Sequence, residues 1–241
     1  MFKSVSRARC ILGRILALFS TSFSLTVIAE NLPACTKHLN YSLHLSGIHT
    51  GFISQTQQWN DNQVLSKNKG RASILGIGSS YTQSSEMYFE NGQWLTQSFH
   101  QTVTGFRKRD MQVFFPESEN ASSVALNGKE YRYESEAEPL RDIDTMAMQI
   151  RQNLLDGKNT FSLARQASDG VELYQYEVLE AQAKSYERWG RLKTIPVTQS
   201  GAEKVTYYYS PGLDYQIIEA RYHGWLLNGR AELVDFTSSC N

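Results

Sequence analysis

Dipeptides that reverse a backbone cut this chain into short pieces. Asn91-Gly92, Asn127-Gly128, Asp169-Gly170, Pro211-Gly212 and Asn228-Gly229 each join a turn-forming residue to a glycine. Between alternating segments such pairs form tight turns. Residues 41–48, YSLHLSGI, set Tyr41, Leu43 and Leu45 on one side and Ser42, His44 and Ser46 on the other. A period of two means a sheet with one dry and one wet face. Residues 51–59, GFISQTQQW, follow a tight Gly47–Gly51 connection and read as the hairpin partner. Further strands are expected over 71–77, 85–90, 94–104, 112–115, 129–133, 160–164, 171–179, 191–197, 204–209, 215–222 and 231–236. The fold class is therefore mainly β, a single antiparallel meander curled into a barrel or half-barrel.

One segment departs from that period. Residues 142–156, DIDTMAMQIRQNLLD, place Ile143, Met146, Ala147, Ile150 and Leu154 at helical spacing. Asp142 suits the N-cap, Asp144 the positive end of the dipole and Gly157 the stop. The amphipathic stripe is expected to pack on the open face of the sheet or to plug the barrel.

The N-terminus reads as an export signal. Lys3, Arg7, Arg9 and Arg14 precede a short apolar stretch, residues 15–28, and then Val27-Ile28-Ala29. A basic start, a short apolar middle and a small-residue exit define a secretory signal peptide. The run is diluted by Ser20, Thr21, Ser22 and Ser24 and falls short of the ~20 strongly apolar residues of a span. Cleavage after Ala29 leaves residues 30–241 as a single β-rich periplasmic domain with no stable membrane span. Lipid attachment at Cys35 is disfavoured, because Glu30 and Asn31 interrupt the apolar run and Pro33 lies beside the bond.

Four of the 24 basic residues and none of the 24 acidic ones leave with the signal, so 20 remain against 24, a net charge of −4. That balance, with no long basic run, gives no footprint for nucleic acid. Cys10 also leaves, and Cys35 and Cys240 remain at the two ends. In an oxidising compartment the simplest reading is a disulfide between them; two free thiols and a metal pair are the alternatives.

Catalytic motifs are sparse. The closest histidine pair, His44 and His49, is five apart, which on one strand means opposite faces, so no metal site is expected. Gly76-Ile77-Gly78-Ser79-Ser80 lacks the third glycine of a dinucleotide loop and the lysine of a P-loop, and reads as a bend at a barrel corner. No cofactor is implied. Glu134, Glu136 and Glu138, followed by Asp142 and Asp144, read as a solvated edge and ordinary capping, with a calcium site or catalytic carboxylates as the alternative. The aromatics say more. Tyr207 and Tyr209 share a strand face and Tyr208 takes the other. Cross-strand packing explains them; an aromatic-lined pocket would use Tyr207, Tyr209, Tyr215 and Trp225 as its wall, in the mouth of a barrel.

Several stretches carry a resemblance. Tyr41 to Gly51 with Gly47-Ile48, Asp142-Ile143-Asp144 leading into Met148–Leu154 and Gly157, Gly190-Arg191-Leu192-Lys193-Thr194, and Tyr209-Ser210-Pro211-Gly212-Leu213-Asp214-Tyr215 together resemble an exported bacterial family catalogued as domain of unknown function 3108. Two features depart from it: Tyr208 and Tyr209 stand where the family tends to a tryptophan, and the family tends to a proline near Gln216. The resemblance implies an exported antiparallel β protein of a Gram-negative envelope. Its motifs are turns and strand starts, and no catalytic residue transfers from it. The expected function is a non-catalytic periplasmic protein that binds an apolar or envelope-derived, lipid-like ligand in the sheet concavity. The alternatives are an adaptor that binds an envelope protein and a hydrolase using carboxylates such as Glu136 and Asp142.

Overall fold

The computed structural model describes residues 34–74, 77–106, 108–116, 120–136, 138–225 and 227–240. The export segment and the bond after Ala29 lie outside them, as does Gly76.

Five long strands begin the fold: β1 (Cys35–Leu45), β2 (Ile48–Asn60), β3 (Gln63–Ile74), β4 (Ile77–Glu90) and β5 (Gln93–Gly105). Three short ones follow, β6 (Arg109–Phe114), β7 (Ala121–Leu126) and β8 (Lys129–Glu134), and then β9 (Leu140–Arg141) and the helix α1 (Ile143–Leu155). The second half holds β10 (Thr160–Gln166), β11 (Val171–Val178), β12 (Gln182–Tyr186), β13 (Gly190–Gly201), β14 (Val205–Ser210), a 3-10 turn at Pro211–Leu213, β15 (Gln216–His223) and β16 (Asn228–Ser238). The mainly β expectation holds, and the helix falls within one residue of where its spacing placed it at each end.

One sheet runs in the order β8 through β1, then β16, β15, β14, β13, β11, β10 and β9, curled into a nearly closed barrel. β1 joins the halves because it pairs with both β2 and β16. At the far ends, Ser122 of β7 donates to Gln166 of β10 at 2.5 Å, and Met111, Val113, Phe115 and Val124 pack with Leu140 and Ala164. These contacts draw the two edges together.

Three features depart from a simple meander. β9 pairs parallel with β10, and α1 is the crossover between them; parallel neighbours need such a connection. β12 pairs only with β13, and that hairpin folds onto the outer face of the sheet: Lys184 sits 3.8 Å above the Tyr208 ring and pairs with the buried Glu219. β7, β12 and most of β3 and β4 are strands that hydrophobic alternation did not reveal. β3 and β4 turn Ser66, Asn68, Gln83 and Ser85 inward, all of them buried, so their inner face is apolar only toward Val64 and Met87 at one end and carries little hydrophobic alternation.

A disulfide joins Cys35 and Cys240, with Cα atoms 5.0 Å apart and 205 residues between them. It lies at the end of the barrel where β1 starts and β16 finishes. α1 seals that same end. Arg151 of α1 and Lys37 of β1 both reach Asp214 in the turn before β15. Lys37, almost wholly buried, also lies 4.3 Å from the Trp59 ring centroid. Met148 packs among Val64, Met87 and Trp94, and Leu154 among Tyr174, Tyr176 and Tyr209. The helix thus crosses the barrel from β3–β5 to β10–β14. No helix among the described residues is long and apolar enough to cross a membrane.

Candidate binding site

Above the helix the barrel is hollow. A cavity of about 520 Å³ is floored by Ile143, Asp144, Met146, Ala147 and Ile150. The apolar stripe that marked the helix in the sequence is the floor, with Asp144 set beside it. Aromatic and aliphatic side chains make much of the wall: Tyr174, Tyr176, Tyr207, Tyr209, Phe99, Met111 and Ile217. Toward the opposite end, where the β1–β2, β5–β6 and β15–β16 connections lie, a second space of about 830 Å³ is lined by Leu43, Leu45, Ala72, Phe106, Val205 and Tyr222. The two share Tyr207, Ala220 and Ala231 as wall residues. Both volumes fall within the ~300–1,000 Å³ of ordinary ligand sites.

The wall has one polar sector, built by strand register. Gln55 of β2 is opposite Asn68 of β3, Asn68 is opposite Gln83 of β4, and Gln83 is opposite Gln101 of β5. Four carboxamides therefore stand in one row across four strands, all lining the cavity. Gln55 Nε2 donates to Ser66; the hydrogen bonds of the other three run toward Asp144. Arg109 of β6 donates to Gln101, Gln101 Nε2 donates to Gln83 Oε1 at 2.7 Å, and Gln83 Nε2 donates to Asp144 Oδ2 at 2.9 Å. Asn68 Nδ2 donates to both carboxylate oxygens of Asp144 at 2.8 Å.

Asp142 supports this from two residues back. Its carboxylate accepts from the Asp144 and Thr145 amides as the helix N-cap, and from the hydroxyls of Ser85, Thr96 and Thr145. Burial and the neighbouring Asp142 carboxylate push the Asp144 carboxyl up to about 7, against the opposing pull of Gln83, Asn68 and Ser66. Burial and the nearby Asp144 charge raise the phenols of Tyr41 and Tyr81, which also line the cavity. Tyr81 lies over Gly70, its register partner: a Cβ there would stand 2.1 Å from the ring.

Among the residues singled out from sequence, Tyr207 and Tyr209 line the cavity while Tyr208 points outward beneath Lys184. Tyr215 packs against the cluster around Tyr176 and Tyr209. Trp225 is 92% exposed in the β15–β16 connection and lines neither space. Glu136 is exposed, whereas Asp142 is buried. His44 and His49 are register partners across the β1–β2 turn with ring centroids 5.4 Å apart, not on opposite faces as their spacing on one strand suggested; the turn folds the second back on the first. Among the described residues no group of three or more His, Cys, Asp or Glu is placed to hold a metal.

The polar row, Arg109, and Tyr41 and Tyr81 as wall residues carry no signal in the sequence, and Asp144 there reads as a first-turn acid, with a calcium site or catalytic carboxylates as the alternative, rather than as the buried end of a polar row. Comparison with family models, curated proteins and solved structures finds no match to this chain.

Proposed function

We propose that this is a non-catalytic periplasmic protein that encloses an apolar, lipid-like ligand inside its barrel. The observation that carries this reading is the hollow interior: a cavity floored by an apolar helical stripe and sharing its wall with an apolar mouth. A barrel meant only as a scaffold fills its interior with side chains. The terminal disulfide fits an exported protein, and the resemblance to an exported envelope family agrees with the compartment. The carboxylates favour binding over hydrolysis, because both oxygens of Asp142 are taken by capping amides and hydroxyls and Glu136 lies exposed in a loop. β8 ends the sheet, yet Lys129, Glu130, Arg132 and Glu134 crowd it; charged edges resist strand addition, which counts against an adaptor that docks there.

The test is titration of the purified mature protein with N-phenyl-1-naphthylamine, an apolar fluorescent probe. Saturable binding to the wild type is expected, weakened about tenfold or more in Ala231→Phe, which fills the wall shared by both spaces. Binding that Ala231→Phe leaves untouched, or no binding at all, overturns the proposal.

A further inference from the structure

The cavity is not uniformly apolar, and some of its buried polar atoms have no partner in the protein. Asn68 is 5% exposed and spends its amide nitrogen on Asp144, so its Oδ1 has no hydrogen-bond partner in the protein. Tyr209 is 1% exposed and its hydroxyl is likewise unpartnered. Both line the cavity. Orphaned buried polar atoms are costly, on the order of 1–3 kcal/mol each, and two of them lining the same cavity as a buried carboxylate mark a place where a ligand completes the hydrogen bonding. Tyr41, Tyr81, Asn68, Asp144 and Tyr209 all line this one cavity. Asn68 Oδ1 and the Asp144 carboxylate are acceptors, and a phenol both donates and accepts.

We infer that the bound molecule is an amphiphile whose head donates hydrogen bonds, a hydroxyl or a primary ammonium, seated against Asp144, Asn68 Oδ1 and Tyr209 with its tail running into the apolar mouth. This rests on the cavity-binding proposal above and names the chemical class of its ligand. An ammonium also suits the phenol rings of Tyr41, Tyr81 and Tyr209, which attract cations. Charge disfavours an anionic head. Asp144, Asp169 and Glu172 line the cavity against Arg109 and Arg165. Arg165 is committed to Glu172 and Glu203. Arg109 alone has a guanidinium nitrogen, Nε, without a partner, and it is the one place an anionic head would choose.

The experiment measures binding of dodecanol, dodecylammonium and dodecanoate, which share one tail, to the mature protein at pH 8 by calorimetry. Wild type is expected to hold the first two at least tenfold more tightly than dodecanoate. Asp144→Asn should weaken dodecylammonium by about 10- to 100-fold, the range of a charged hydrogen bond, and dodecanol by much less. Tyr209→Phe, which removes one buried oxygen and keeps the ring, should weaken both several-fold. Tightest binding of dodecanoate, abolished by Arg109→Gln, would overturn the assignment of the head while leaving the cavity proposal standing. Equal binding of all three, unchanged in Asp144→Asn and Tyr209→Phe, would overturn it as well. Failure of all three to bind would fault the cavity proposal itself.

Discussion

Asp144→Asn should make the protein more stable at neutral pH and strip out part of its pH dependence. The carboxyl is buried, with the carboxylate of Asp142 nearby, and the two effects push it from 3.8 to about 7. A carboxyl raised on folding favours the native state fully below its unfolded value and loses that advantage as pH rises through the folded value. Between about 4 and 7 the loss runs at roughly 1.4 kcal/mol per pH unit. From pH 5 to pH 8 it sums to on the order of 2–3 kcal/mol for this group. Asparagine has no such titration. Its amide would face the Asn68 nitrogen that now serves the carboxylate, but Asn68 can turn its amide over and present Oδ1, which has no partner at present. The variant is therefore expected to fold. Urea unfolding of wild type and variant at pH 5 and pH 8 measures the effect, because the difference between them cancels the titrating groups that do not interact with Asp144. The gap should widen in the variant's favour by about 2 kcal/mol or more over that interval. A constant gap, or one that widens in favour of the wild type, would show that the carboxyl titrates in its ordinary range and that the polar row solvates it fully.

The double variant Cys35→Ser/Cys240→Ser should lose up to about 5 kcal/mol, the chain-entropy value for closing a loop of 205 residues; thermal unfolding with and without reductant checks it, and a wild type indifferent to reductant would contradict it. Gly70→Ala should cost about 1–3 kcal/mol and weaken N-phenyl-1-naphthylamine binding, because the added methyl meets the Tyr81 ring at 2.1 Å and drives it toward the cavity. Unchanged binding in that variant would mean that Tyr81 is not part of the wall the probe touches.

The sequence by itself determined the architecture and the identity of the floor. Turn dipeptides and period-two segments act locally, within a hairpin, so β1, β2 and most strands of the second half were legible from residue order alone. The helix was legible for the same reason: Ile143, Met146, Ala147 and Ile150 share a face at any 3.6-residue period, whatever they pack against. The pairing of Cys35 with Cys240 was legible from counting thiols, given the expectation of export. Tertiary structure decided the rest. Polar strands such as β3 and β4 are silent to a hydrophobic pattern, and their inward Asn68 and Gln83 make sense only opposite a carboxylate that arrives 76 and 61 residues later. The row from Gln55 to Gln101 exists because four strands happen to be in register. Asp144 looked like an ordinary first-turn acid because its neighbours in sequence say nothing about its solvent. Only the closure of the sheet around α1 takes that carboxyl out of water and turns a first-turn acid into the polar end of a cavity.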